Sequence, residues 1–186
     1  LEGARMKLWQ SKSGLDKDVE EYTVGNDYLF DRNLVEYDCI ASIAHAKLLL
    51  KMKIITPQEH KRLAAALKEI IRLNSAGKFK ISPDDEDVHT KIENCLTKKL
   101  GAAGKKIHTL RSRNDQVLAA LRLYSKAKLM QVKEEAQSLM LELAKFAKKN
   151  KGIAMPGYTH MQRAMPSGVA LWAGAFEESL RSDLKT

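Results

Sequence analysis

Prolines are scarce in this chain, four among 186 residues, and there are only ten glycines. Few positions therefore force a helix to stop. With 44% hydrophobic residues, that scarcity excludes a low-complexity or collagen-like chain and points to an ordered, helical globular protein. Cysteine is rarer still. Cys39 and Cys95 lie far apart and make neither a metal quartet nor a disulfide framework, which places the chain in a reducing cytoplasm. No apolar run approaches the ~20 residues of a membrane span, so no membrane partner is expected. The opening LEGAR, residues 1–5, has no apolar core of a leader and reads as a tag remnant. There is no strand of convincing alternation, no internal repeat and no low-complexity tract.

Positive charge is in excess, with a net of +9. In a nucleic-acid binder such charge clusters, because grouped Lys and Arg displace counterions from phosphate. Here it is interspersed with acids, as in EEYTVGNDYLFDR and KEEAQSLMLELAKFAKK. The densest basic patches flank glycines, where cations complement helix C-termini. No nucleic-acid partner is expected, and the positive field suits a small dianionic substrate.

Helices announce themselves by period and punctuation. Asp31 to Lys53 carries Leu34, Ile40, Ile43, Ala44, Leu48 and Met52 near helical period. Thr56-Pro57-Gln58-Glu59 is a capping box with proline at the first helical position. It opens a helix whose apolar face is Leu63, Leu67, Ile70 and Ile71, closed near Gly77. Ser82-Pro83-Asp84-Asp85 repeats the start signal for a helix through Ile92 and Leu96 to Gly101.

Asn114 to Lys151 contains neither proline nor glycine. Nothing interrupts one helix of about 37 residues there, roughly 55 Å long. Val117, Leu121, Tyr124, Val132, Leu139, Leu143 and Phe146 share a face, while Leu118, Leu123, Met130, Met140 and Leu141 spread beyond it. A helix apolar on several sides is buried by several neighbours, and the apolar spacing keeps no strict heptad. The expectation is an all-α protein: an N-terminal helical domain over residues 6–111, then the first part of a multi-subunit central helical bundle over 112–186. A second long helix is expected from about Pro166 to Thr186, where the pattern runs on unended.

Three polar groupings remain. In DDEDVHTKIE the acids suit a helix first turn, and that accounts for them without His89. His89 and Glu93 stand four apart but show no third ligand, so no metal is expected. In HTLRSRNDQV, Ser112 or Asn114 can cap the long helix. Arg111, Ser112, Arg113, Asn114 and Gln116 also make a concentration of donors suited to a carboxylate. By residue types both readings stand. In GYTHMQRAMPS, Thr159 or Ser167 can cap a helix after a connector. His160 is equally suited to proton transfer, with Thr159 and Gln162 to orient it or hold substrate.

VEYDCIASIAHAKLL, DEDVHTKIE, HTLRSRNDQV and PGYTHMQRAMPS, in this order and at these intervals, resemble the N-terminal part of argininosuccinate lyase, of the fumarase/aspartase superfamily. The resemblance covers Met6 to Thr186. It implies a helical homotetramer with active sites shared between subunits, no cofactor, and reversible cleavage of argininosuccinate to arginine and fumarate, the last step of arginine biosynthesis. It also implies roles: His160 as the catalytic histidine, with Asn114 and Thr159 binding substrate. Ser112, Arg113 and Gln162 fall to the substrate carboxylates, and His89 supports the site. Such a lyase needs a base, an acid for the leaving nitrogen, and donors for the doubly charged aci-carboxylate between them.

Departures mark this chain. The family usually has glycine where Leu110 stands, and Asp27 falls where it has a substrate-binding serine. The family's later GSS-x-MP-x-K-x-N loop, with its catalytic serine, is not among these residues. The expectation is that the 186 residues alone release no fumarate. The alternatives are a non-catalytic crystallin-like relative and another superfamily lyase, such as one acting on adenylosuccinate.

Overall fold

The computed structural model describes residues 22, 25, 27–82, 85 and 87–185. The tag reading of 1–5 lies outside them, as does the side chain of Asp27. The architecture is predominantly helical. Helix α1 (Asp27–Phe30) leads through a 3-10 turn (Asp31–Asn33) into α2 (Val35–Lys51), α3 (Pro57–Ser75), α4 (Val88–Leu100) and the short α5 (Ala102–Lys105). A second 3-10 turn (Lys106–His108) precedes α6 (Arg113–Lys149), strands β1 (Ala154–Thr159) and β2 (Gln162–Gly168), and α7 (Val169–Asp183). The chain divides into two compact units, 1–125 and 126–186. Among the described residues no helix is long and apolar enough to cross a membrane.

In the first unit α2, α3 and α4 enclose one core. Val35, Cys39, Ala46 and Leu49 meet Leu63, Ala66, Leu67 and Ile70, with Val88, Ile92, Leu96 and Ile107 completing it. Each Val, Leu or Ile among them contributes roughly 1.5–3 kcal/mol of burial free energy. The buried face of α2 differs from the expected one. Ile40, Leu48 and Met52 are exposed, whereas Val35, Asp38, Cys39, Ser42, Ala46 and Leu49 point inward. This helix is apolar on more than one side, so period alone does not choose the side its neighbours cover.

The caps explain where the helices start. Thr56 Oγ1 accepts from Glu59 N at 3.1 Å, and Glu59 Oε2 accepts from Thr56 N at 2.8 Å, the expected box. The other Glu59 oxygen takes Lys106 Nζ at 2.7 Å. That bond, followed by the one from Thr56, holds the Glu59 carboxyl below its ordinary range. At α4 the start lies later than expected. Asp87 is the N-cap, accepting from Thr90 N at 2.6 Å, while Val88 N donates to Asp31 Oδ2 at 2.9 Å. Asp85 is already engaged, taking Ser82 N and Oγ at 2.9 and 2.8 Å and Lys91 Nζ at 2.8 Å. After α4 the chain turns back on itself, and Gly104 is required there: a Cβ would stand 2.4 Å from the Leu96 carbonyl oxygen.

In the second unit the expected connector is an antiparallel hairpin. Ala154 pairs with Gly168, Met155 with Ser167, Pro156 with Pro166, Tyr158 with Arg163 and Thr159 with Gln162. One residue, Gly157, therefore opposes two, Ala164 and Met165, which is a β-bulge. A Cβ on Gly157 would lie 2.6 Å from Met165 Sδ and 3.0 Å from its carbonyl oxygen. Both strands of a two-stranded sheet are edges, so prolines are tolerated in each. Neither Thr159 nor Ser167 caps α7, whose N-cap is Gly168 without a side-chain bond. Helix α7 begins at Val169, three residues past Pro166, because the strand continues to Gly168.

Candidate active site

The first turn of α6 is capped by its own residues. Asn114 N donates to Ser112 Oγ at 3.2 Å and Ser112 N to Asp115 Oδ2 at 3.0 Å, a reciprocal cap. Ser112 and Asn114 are both exposed. Capping thus accounts for Ser112 and Asp115 and leaves the Asn114 amide at the surface beside a helix N-terminus. Leu110, two residues before the cap, has φ +60° and is 69% exposed. A leucine in the left-handed region costs about 1–2 kcal/mol.

Beneath this turn lies a buried polar layer. Asp38 accepts Gln116 Nε2 on both oxygens, at 2.9 and 3.0 Å, and Ser42 Oγ at 3.4 Å. His89 Nδ1 stands 3.2 Å from Asp38 Oδ2, close enough for ion pairing but out of line for a hydrogen bond. Arg111 reaches the layer through Ser42 Oγ, with both Nη atoms at 3.2 Å. Burial lowers the Arg111 pKa from its ordinary value, against the pull of Asp38 and Glu93. Arg113 donates from Nη1 to Gln116 Oε1 at 2.9 Å and to Glu93 Oε1 at 3.1 Å, and from Nη2 to Thr90 Oγ1 at 3.4 Å. His108 Nδ1 lies 3.1 Å from Glu93 Oε1. Glu93 thus serves Arg113 and His108, while His89 faces Asp38. Sequence reasoning passed over Asp38. Its one signal is an acid within the apolar run VEYDCIAS, four residues before Ser42.

The second grouping is the hairpin tip. Thr159 and Gln162 close a two-residue loop in which His160 and Met161 both have positive φ, +46° and +64°. Two left-handed residues in succession define a type I′ turn, ordinarily built with Asn and Gly. Here a histidine and a methionine hold it. Thr159, His160 and Gln162 are exposed, and Met161 is 94% exposed. His89, Ser112, Arg113 and Asn114 therefore belong to residues 1–125, and Thr159, His160 and Gln162 to 126–186. The first grouping presents donors suited to a carboxylate. The second presents an imidazole between a hydroxyl and an amide, the equipment of proton transfer.

The fold matches a fumarate lyase:delta crystallin from Brucella melitensis, with TM-score 0.74, 19% identity, and coverage of 91% of this chain and 44% of that one. It also matches an EDDS lyase variant with bound fumarate, with TM-score 0.70, 21% identity, and coverage of 93% and 34%. The chain belongs to the lyase family, whose family model, described as "Lyase", matches residues 8–186. Within it the chain is similar to argininosuccinate lyases. It is 48% identical to that of Thermotoga neapolitana over 179 residues and 42% identical to that of Bacteroides fragilis over 178. Each alignment takes in 96% of this chain, which spans 45% and 40% of those two curated relatives.

Proposed function

We propose that this chain is part of an argininosuccinate lyase, which reversibly cleaves argininosuccinate to arginine and fumarate. The observation that carries the reading is the 48% identity over 179 residues to an argininosuccinate lyase. The geometry supports it with two groupings of the right chemistry. His160, on its strained turn, transfers the proton, and Thr159 beside it binds substrate. Asn114 binds substrate from the α6 first turn and Gln162 its carboxylates, while Ser112, engaged as the cap, and Arg113, turned to Gln116, Glu93 and Thr90, hold that turn. His89, against Asp38, supports the first grouping. The developing aci-carboxylate carries two negative charges, and oriented donors at a helix N-terminus stabilise it more than they stabilise the ground state.

The protein works as a cytoplasmic homotetramer in which different subunits supply the two groupings of one site. The apolar surface of the second unit supports this: Leu129, Val132, Leu139, Leu141, Leu171, Trp172 and Phe176 are each half-exposed or more. A set of that size on α6 and α7 calls for neighbouring helices.

The test is fumarate release, followed by ultraviolet absorbance, from the full-length protein that contains this chain. Argininosuccinate and adenylosuccinate are offered separately, with His160→Ala alongside. Turnover of argininosuccinate alone, lost in the variant, is expected. Turnover of adenylosuccinate alone, or of neither by a folded oligomer, refutes the reading.

A further inference from the structure

Asp38 is wholly buried, and Gln116 and His89 are 1% and 2% exposed, yet the proton-transfer chemistry needs none of Asp38, Gln116 or Ser42. A carboxylate in such a setting requires donors. Gln116 Nε2 supplies them to both oxygens. An ionised acid only accepts and a guanidinium only donates. The Gln116 amide, lying between Asp38 and Arg113, is therefore fixed from both ends: NH2 toward the acid, carbonyl oxygen toward Arg113 Nη1 at 2.9 Å. The reversed amide would set acceptor against acceptor and donor against donor. The remaining Nη1 hydrogen goes to Glu93 on α4. The head of Arg113, which also bonds Thr90, is thus linked to Asp38 on α2 through Gln116.

The geometry points to Asp38 and Gln116 as positioning residues for the site proposed above, a string of acid, amide and guanidinium that holds the α6 first turn in its carboxylate-binding pose. This rests on the lyase reading. Stability alone does not call for such a string, since well-packed apolar side chains of the same volume serve a core as well or better. What the string adds is direction: each group accepts or donates one way only.

The test uses the full-length protein with argininosuccinate, in Asp38→Asn, Gln116→Glu and the double variant. Asp38→Asn keeps the shape but removes the charge that orients Gln116, and kcat/KM is expected to fall about tenfold. Gln116→Glu sets two buried carboxylates against each other, which must share a proton or move apart, and about a hundredfold loss is expected. In the double variant the introduced amide donates to the introduced carboxylate, which still accepts from Arg113. Activity is expected to return to within about threefold of the parent. A double variant no better than Gln116→Glu, or Asp38→Asn with parental kcat and KM and only a lowered Tm, overturns the inference.

Should the parent release no fumarate, the lyase reading fails by itself, and the string is then judged by crystal structures of parent and variants. An Arg113 head displaced in Asp38→Asn and restored in the double variant upholds it. An Arg113 head indifferent to position 38 overturns it.

Discussion

Leu49, Leu63 and Leu67 are wholly buried, whereas Leu129, Leu139 and Leu171 are 69%, 53% and 69% exposed, although all six lie on helices. The first three sit where α2, α3 and α4 cover one another within residues 1–125. The others sit on α6 and α7, in a unit whose only buried side chain on α7 is Ala173. Leucine content is therefore no guide to core membership. What decides burial is whether helices among these residues cover the side chain. Residues 1–125 close their own core, while 126–186 carry an apolar surface and the exposed hairpin tip. The first unit can therefore be damaged through its packing, the second through its surface.

The largest expected effect touches no packing at all. His160→Ala in the full-length lyase should lower kcat by about 10²–10⁴-fold. The urea midpoint should stay parental, because His160 is exposed. A midpoint that falls in step with activity would break the comparison. Leu67→Ala, in the closed core, should cost about 2–5 kcal/mol in urea unfolding. Leu139→Ala, on the open surface, should change unfolding of the single chain by no more than about 0.5 kcal/mol. On the homotetramer reading proposed above it should instead weaken assembly in sedimentation experiments, and equal stability losses for the two leucines would contradict the division. Leu110→Gly relieves a left-handed leucine and should stabilise the fold by about 0.5–1 kcal/mol, read as a raised Tm.

The smallest effect is a pH dependence. Burial lowers the His45 pKa from its ordinary 6.5, partly opposed by the Thr109 carbonyl that its Nε2 contacts at 2.9 Å. Arg111 and His108 also disfavour its charged form. The unfolded chain therefore takes up this proton at a higher pH than the folded one. Stability from His45 is fully present above pH 6.5 and declines as the pH falls below it. A urea-midpoint series across that range should slope downward on acidification, and His45→Gln should flatten the slope.

Much of the helical plan was legible because its signals are local. The Thr56 box, the stop at Gly101 and the uninterrupted span of α6 each depend on residues within a few positions of one another. The hairpin was not legible. Pro156, Gly157 and Pro166 read as breakers, and only the pairing of two edge strands across a bulge makes them strand residues. The α4 cap fell on Asp87 rather than Ser82 because Asp31, more than fifty residues upstream, supplies a carboxylate to Val88 N. His160 and Asn114 stood out by type and spacing. Asp38 did not, since its partner Gln116 lies 78 positions away and no local pattern records that contact.

The account turns on donors from the α6 turn and the imidazole from the hairpin tip serving one substrate from different copies of the protein. Full-length Asn114→Ala and His160→Ala variants, each inactive alone, can be mixed, dissociated and reassembled, and fumarate release from argininosuccinate then measured. Part of the parental activity should return, because some sites in mixed oligomers receive an intact Asn114 from one copy and an intact His160 from another. Mixed oligomers that form and remain as inactive as either variant would contradict it.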